Sequence, residues 1–150
     1  MNASDLTKIT ALRARLHDCP ELSGRETATL AAIADFLSRH TTLRLERRDG
    51  WLLATHWEAD GLPGIGFRAE TDAIPTGDPP EAAGAGGDVC CGGGVRHGGG
   101  ARHGCGHDGH CAILCGVALA LEGRRFGKNV CLIFQGAEET GEGAKNICDT

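Results

Sequence analysis

No apolar run in this 150-residue chain approaches the roughly twenty residues that a membrane-spanning helix needs, so no transmembrane segment is expected. Basic residues are scattered rather than clustered, and a net charge of -5 leaves no patch suited to nucleic acid. The opening Met1-Asn2-Ala3-Ser4-Asp5 is polar and leads into a mixed helix, which does not read as a signal peptide. No internal repeat is found. What remains is ordinary for one soluble domain with a core: 41% hydrophobic and 23% charged residues, with the cytoplasm as the expected compartment.

Eight cysteines raise the question of a disulfide framework. Cys111, Cys115 and Cys131 lie in strongly apolar segments, where a thiol behaves as a small hydrophobe. Cys90 and Cys91 are adjacent, a poor arrangement for a structural bridge with each other. Reduced thiols are therefore expected.

Leu6, Ile9, Leu12 and Leu16 have helical spacing, with Ser4 or Asp5 as cap, and a second helix is expected from about 26 to 39. The period then changes. Residues 42–48 and 51–57 read as strands joined by Asp49-Gly50, a good hairpin signal. A short strand over 65–70 ends at Thr71-Asp72. Residues 75–104 are expected to lack regular structure, and half of the 24 glycines fall between Gly84 and Gly109. After Asp108 comes an apolar, hence buried, helix to Leu121, then a continuous apolar run over 130–135 typical of a central parallel strand. Another helix begins after Gly143. This order reads as a layered α/β sheet, in which ligands gather beyond the carboxyl ends of strands.

Three segments bring chemistry to such an edge. Arg102-His103-Gly104-Cys105-Gly106-His107-Asp108-Gly109-His110 concentrates nitrogen, sulfur and oxygen donors for a transition metal. Gly136-Ala137-Glu138-Glu139 follows the apolar strand with adjacent carboxylates, one able to bind metal while the other takes a proton from water. Asp72 follows an earlier strand, and either it or Asp108 can accept the far N–H of a coordinating imidazole. His103 and His110 are open as further ligands, supporting partners or substrate contacts. The bland readings are a solvated carboxylate pair and surface histidines on a glycine-rich loop; the co-occurrence of the segments at strand ends outweighs them. His17, His40 and His56 read as structural or exposed, and Cys111 and Cys115 as core. Cys90, Cys91 and His97 are compatible with a metal site or a redox pair, although an unordered loop is the simpler reading.

These residues also resemble a known family. The run from His103 to Ala112 is similar to the H-x-C-G-H-D-x-H-x-A signature of the amidohydrolase branch of the di-metal aminoacylase/carboxypeptidase family, which includes hippurate hydrolases, N-acyl-amino-acid amidohydrolases and auxin-conjugate hydrolases. Leu16-His17 with Pro20-Glu21-Leu22-Ser23 is similar to its L/F-H-x-x-P-E-L-S, residues 67–75 to its R-A-D-M-D-A-L-P region, and Phe134 to Glu139 with Gly141 to Ala144 to its F-Q-P-A-E-E and G-G-G-A. Glu70, Thr71 and Gly136 depart from that pattern, where aspartate, methionine and proline are usual.

The resemblance implies Cys105, His107 and Glu139 as metal ligands and Glu138 as the general base, which takes a proton from the attacking water and passes it to the leaving amine. Asp72 orients the site. Two divalent ions, zinc or manganese, would polarise the scissile carbonyl. The implied fold is an α/β/α layered sheet of the zinc-exopeptidase type, truncated: residues 1–150 supply the N-terminal portion of the catalytic domain, with a glycine-rich loop at about 76–104. The lid domain and the rest of the catalytic domain, with its remaining histidine ligands, are absent. The implied activity is hydrolysis of N-acyl amino acids or short peptides, with this chain alone expected to be inactive. No nucleic-acid or membrane partner is implied, and a homodimer is compatible with the full-length protein. The rival expectation is a non-catalytic remnant that binds a metal ion or a partner through its Gly/Cys/His loop.

Overall fold

A computed structural model describes residues 1–76, 89–90, 94–95 and 100–149. Helix α1 (Ala3–His17) starts with a reciprocal cap: the Asn2 side chain accepts the Asp5 N–H, and the Asp5 carboxylate accepts the Asn2 N–H, both at 2.9 Å. Helix α2 (Thr27–His40) buries Leu30, Ile33, Phe36 and Leu37. The first free N–H groups of α2 are not capped from within its own sequence. The buried Glu21 carboxylate accepts them instead, from Ala28 at 3.1 Å and Thr29 at 2.7 Å.

Strands β1 (Arg44–Arg48) and β2 (Trp51–His56) form the expected hairpin, with Gly50 at φ 75° where a side chain would be strained. They are followed by β3 (Gly64–Glu70) and β4 (Ile74–Pro75). Short strands β5 (Val89–Cys90), β6 (Gly94–Val95) and β7 (Ala101–Arg102) precede helix α3 (His107–Leu121), strand β8 (Asn129–Gln135) and helix α4 (Gly143–Cys148). The segment expected to lack regular structure thus contains two small antiparallel ladders, β4 with β7 and β5 with β6. Two-residue strands leave no period to read in a sequence.

The main sheet has the order β1-β2-β8-β3. The apolar run of β8 is central, as expected, but mixed in sense: antiparallel to β2 and parallel to β3. One face carries Leu52, Ala54, Ala69, Leu132 and Phe134, all at most 1% exposed, packed with Cys111, Cys115 and Ala118 of α3 and with Ile33 and Leu37 of α2. Helix α1 lies on α3 and adds Leu12 and Leu16 to the same core. The other face holds half-buried Leu53, Cys131 and Ile133. The layered α/β sheet is therefore formed. Cys111 and Cys115 are core residues as expected, whereas Cys19 is disulfide-bonded, against the expectation of a reduced thiol there. Among the described residues no helix is long and apolar enough to cross a membrane.

Parallel pairing with the register Glu70↔Gln135 brings the carboxyl ends of β3 and β8 level. Thr71 fastens this junction, its N–H and hydroxyl both donating to the Gln135 carbonyl at 2.9 and 3.1 Å. The segments that follow, Asp72 and Gly136 to Glu139, start side by side.

Candidate metal centre

Gly106 adopts φ 82° immediately before α3, a turn that a side chain would resist, and this aims the first turn of α3 at the strand ends. His107, the first residue of α3, is buried. Its Nδ1 lies 2.9 Å from the Asp72 carbonyl oxygen and 3.2 Å from Asp72 Oδ1. With Nδ1 as the donor, Nε2 is left as the free lone pair. That nitrogen faces Glu138 Oε2 and Glu139 Oε1, each at 3.8 Å. One nitrogen and two carboxylates, with ligand atoms all within 4.8 Å of one another, fit a divalent cation by number and type. A cation would also relieve the repulsion between the two carboxylates.

Asp72, 1% exposed, sits behind this group. Its Oδ2 accepts the Ser23 hydroxyl at 2.7 Å and the Glu139 N–H at 2.9 Å, so one residue fixes the imidazole through its backbone carbonyl and the carboxylate loop through its side chain. The Pro20-Glu21-Leu22-Ser23 segment is drawn in by a bridge between Leu22 and Ala73 and by the Ala73 N–H donating to the Glu21 carbonyl.

The carboxylate loop is tightly built. Buried Glu26 accepts the Ala137 N–H at 2.7 Å, and Ala137 stands at φ 51°, a left-handed conformation uncommon for alanine. At Gly136 a Cβ would come within 2.7 Å of the Gly50 carbonyl oxygen, so the proline usual in the resembled motif has no room here. At Gly143 a Cβ would fall 1.8 Å from the Gly136 carbonyl oxygen, so the third glycine-type position of that motif is fixed by close backbone approach.

Cys105 stands exposed just before the turn. A hydrogen bond with Glu139 pushes its thiol pKa up, helped by slight desolvation and the charges of Glu139, Glu138 and Asp72. It is thus beside Glu139 but outside the two donor groupings found among the described residues, Glu70/His107/His110 and His107/Glu138/Glu139. Asp108 turns away from the grouping of His107, Glu138 and Glu139. Its Oδ2 lies 3.0 Å from His17 Nδ1 and 3.3 Å from Arg13 Nε, tying α1 to α3. Of the two aspartates open as partners for the imidazole, Asp72 takes that place. His103 is buried with neither ring nitrogen hydrogen-bonded, and burial lowers its pKa. His110 pairs with Glu70, Nδ1 to Oε2 at 2.8 Å.

Sequence reasoning quoted Glu21 and Ser23 only within the Pro20-Glu21-Leu22-Ser23 motif, without a role, and gave Glu26 none beyond the start of the second helix; burial marks the two glutamates as supports, and the hydrogen bond to Asp72 marks Ser23. The side chains of Cys90, Cys91 and His97 lie outside the described residues.

An imidazole at the start of α3 and paired carboxylates just beyond β8 form a donor group of the kind that can hold a divalent cation. Comparison makes this specific: the model of the peptidase family M20/M25/M40 matches residues 66–150, more than half of the chain, and the chain belongs to that family. It is 32% identical over 152 residues to N-acetyldiaminopimelate deacetylase of Listeria innocua, covering 97% of this chain and 37% of that protein. It is 33% identical over 162 residues to N-acetyl-L-cysteine deacetylase of Bacillus subtilis, covering 99% of this chain and 34% of that protein. Its fold matches the Bacillus subtilis YXEP protein, a dinuclear metal-binding peptidase of the M20 family, with a TM-score of 0.80 at 27% identity, over 99% of this chain and 40% of that one. The chain thus spans little more than a third of the length of the curated relatives it matches.

Proposed function

We propose that this chain is the N-terminal part of a metal-dependent amidohydrolase that releases an amino acid from an N-acyl conjugate. The observation that carries the reading is His107: its Nδ1 is held by Asp72, and its Nε2 faces Glu138 and Glu139 at 3.8 Å. The deacetylase activities named for the relatives in Listeria and Bacillus support an N-acyl amino acid as substrate.

In this reading Cys105, His107 and Glu139 hold metal, two ions per site in the complete enzyme, with zinc or manganese as the candidates. Bound there, the ions would polarise the scissile carbonyl and make water a better nucleophile at neutral pH. Glu138 takes a proton from the attacking water and delivers it to the nitrogen of the breaking amide, so the products are a carboxylate and a free amine. Asp72 keeps the His107 tautomer and, through the Glu139 N–H, sets the spacing of the carboxylates. The substrate is a small N-acyl amino acid, hippurate-type conjugates included, or a short peptide, and the setting is the cytoplasm, with a homodimer as the assembly of the longer protein. The 150 residues span little more than a third of these relatives and are expected not to turn over substrate by themselves.

The test uses the longest form that the gene encodes, loaded with zinc or manganese and assayed on N-acetyl amino acids. Glu138→Gln is expected to lower kcat by about 10²–10⁴-fold, the usual contribution of a general base, with metal content unchanged. Full activity in that variant, or activity indifferent to chelator, would overturn the assignment. The short span relative to the relatives favours a second reading, a non-catalytic remnant that binds a metal ion or partner. It expects metal binding without hydrolysis in every form the gene encodes.

A further inference from the structure

His107 belongs to two donor groupings, and the second does not contain the paired carboxylates. Glu70 ends β3, and His110 lies one turn into α3 at i, i+3 from His107, on the same helix face. The two imidazole rings lie 5.7 Å apart, tilted by 34°. Ligand atoms of Glu70, His107 and His110 all fall within 4.8 Å of one another. Arg68 donates to Glu70 Oε1 at 2.8 Å, and Oε2 lies 2.8 Å from His110 Nδ1. Two ligand atoms on a tetrahedral zinc with bonds near 2.0–2.1 Å are roughly 3.3 Å apart, so replacing the shared proton by an ion needs only a small opening. The positive charges here are Arg68 and the N-terminus of α3; the carboxylates of Glu70, Asp72, Glu138 and Glu139 oppose them.

We infer that Glu70 and His110, together with His107, form an alternative position for one divalent cation, outside the set of Cys105, His107 and Glu139. The inference rests on the proposed reading of His107 as a metal ligand. Because Asp72 occupies the Nδ1 side, Nε2 is the free ligand atom, and one nitrogen lone pair binds one ion at a time. An ion on His107 is therefore completed either by the carboxylate loop or by Glu70 and His110. The position uses a histidine and a glutamate that the proposed hydrolysis leaves without a role. It gives the metal a place at the edge of the site, where His110 is half-exposed at 52% of its side chain and incoming ions reach it from solvent.

Cobalt(II) binding by the 150-residue chain tests this, read by calorimetry and visible absorption. In the triple variant Cys105→Ser, Glu138→Gln, Glu139→Gln, cobalt is expected to bind still, with an absorption band but no thiolate charge-transfer band. Adding His110→Gln or, separately, Glu70→Gln is expected to weaken binding at least about tenfold, since even outer partners of a ligand contribute that much. Circular dichroism melting identifies any variant that fails to fold, and the two added substitutions serve as independent checks on each other. If the triple variant binds no cobalt while folded, or if neither added substitution changes the affinity, the inference is overturned. Failure of the proposed function looks different: it leaves cobalt binding intact and shows as hydrolysis insensitive to Glu138→Gln in the longer form.

Discussion

Asp72 shows how much one buried carboxylate can arrange. Its carbonyl and Oδ1 face one ring nitrogen, and its Oδ2 holds a serine hydroxyl and a backbone N–H from a different strand end. His103 is the opposite case, buried with two unpaired ring nitrogens. Burial pushes its pKa below the usual value, His17 and His107 add to that, and Asp108 and Asp72 pull the other way without restoring it. The unfolded chain therefore binds a proton at His103 at a higher pH than the fold does, and stability falls as pH drops through about 6.5, the unperturbed histidine value. Asp108 works in a lower window. Burial alone would raise its pKa, but the His17 hydrogen bond, the Gly109 N–H and the charges of His103 and Arg13 hold it below the ordinary value. Its contribution is present above the unfolded aspartate pKa and is lost in stronger acid. Urea denaturation in the presence of chelator is expected to give a lower midpoint at pH 5 than at pH 7.5, with a smaller difference in His103→Gln. An identical pH slope in that variant would remove His103 as the cause.

At the scale of elements, α3 decides most of the thiol chemistry. Cys111 and Cys115 are fully buried one turn apart, and burial drives both thiols far above the ordinary range, with Cys115 and the nearby Glu70, Asp108 and Asp72 raising Cys111 further. Cys105, just before the helix, and Cys148, at the end of α4, are exposed. A thiol reagent applied to the native chain is therefore expected to modify Cys148 and Cys105 first and to leave Cys111 and Cys115 intact until denaturant is added. Peptide mapping after a timed reaction checks this; early labelling of Cys115 would mean that α3 is not packed as described. The hairpin and the three long helices were readable from period and punctuation, and the Asp49-Gly50 turn appears as expected. The β4–β7 pair was not readable, because its two-residue strands are stabilised by partners rather than by pattern.

At the scale of the whole molecule, among the described residues, the main sheet ends on β3, an edge strand. Ile65 and Phe67 of that strand are 38% and 44% exposed, and Ile113 of α3 beside them is 67% exposed. Phe67 and Ile113 border a groove of about 330 Å³ that Leu114 and Val117 also line. An unpaired strand edge beside apolar side chains invites association. Light scattering of the isolated chain is expected to rise with concentration, and Phe67→Lys is expected to suppress that rise while leaving the far-ultraviolet dichroism unchanged. A strictly monomeric wild-type chain over the same range would contradict this.

The amino-acid order alone determined the long elements and the donors. Helical and strand periods, the Asp-Gly turn and the glycine-spaced run from His103 to His110 are local features, and local features survive reading one residue after another. Placing Asp72, His107 and Glu138-Glu139 at one edge also followed, because strand ends in an α/β sheet converge. The tertiary structure alone decided the partners. Asp72 rather than Asp108 holds His107, at a separation of 35 residues; Asp108 turns instead to His17, 91 residues away; Glu26 fixes the Ala137 backbone across 111 residues. Such pairings depend on how α3 lies on the sheet and α1 on α3, and on which carboxylates lose their water when they do. Burial is a property of the packed whole, so no local pattern carries it.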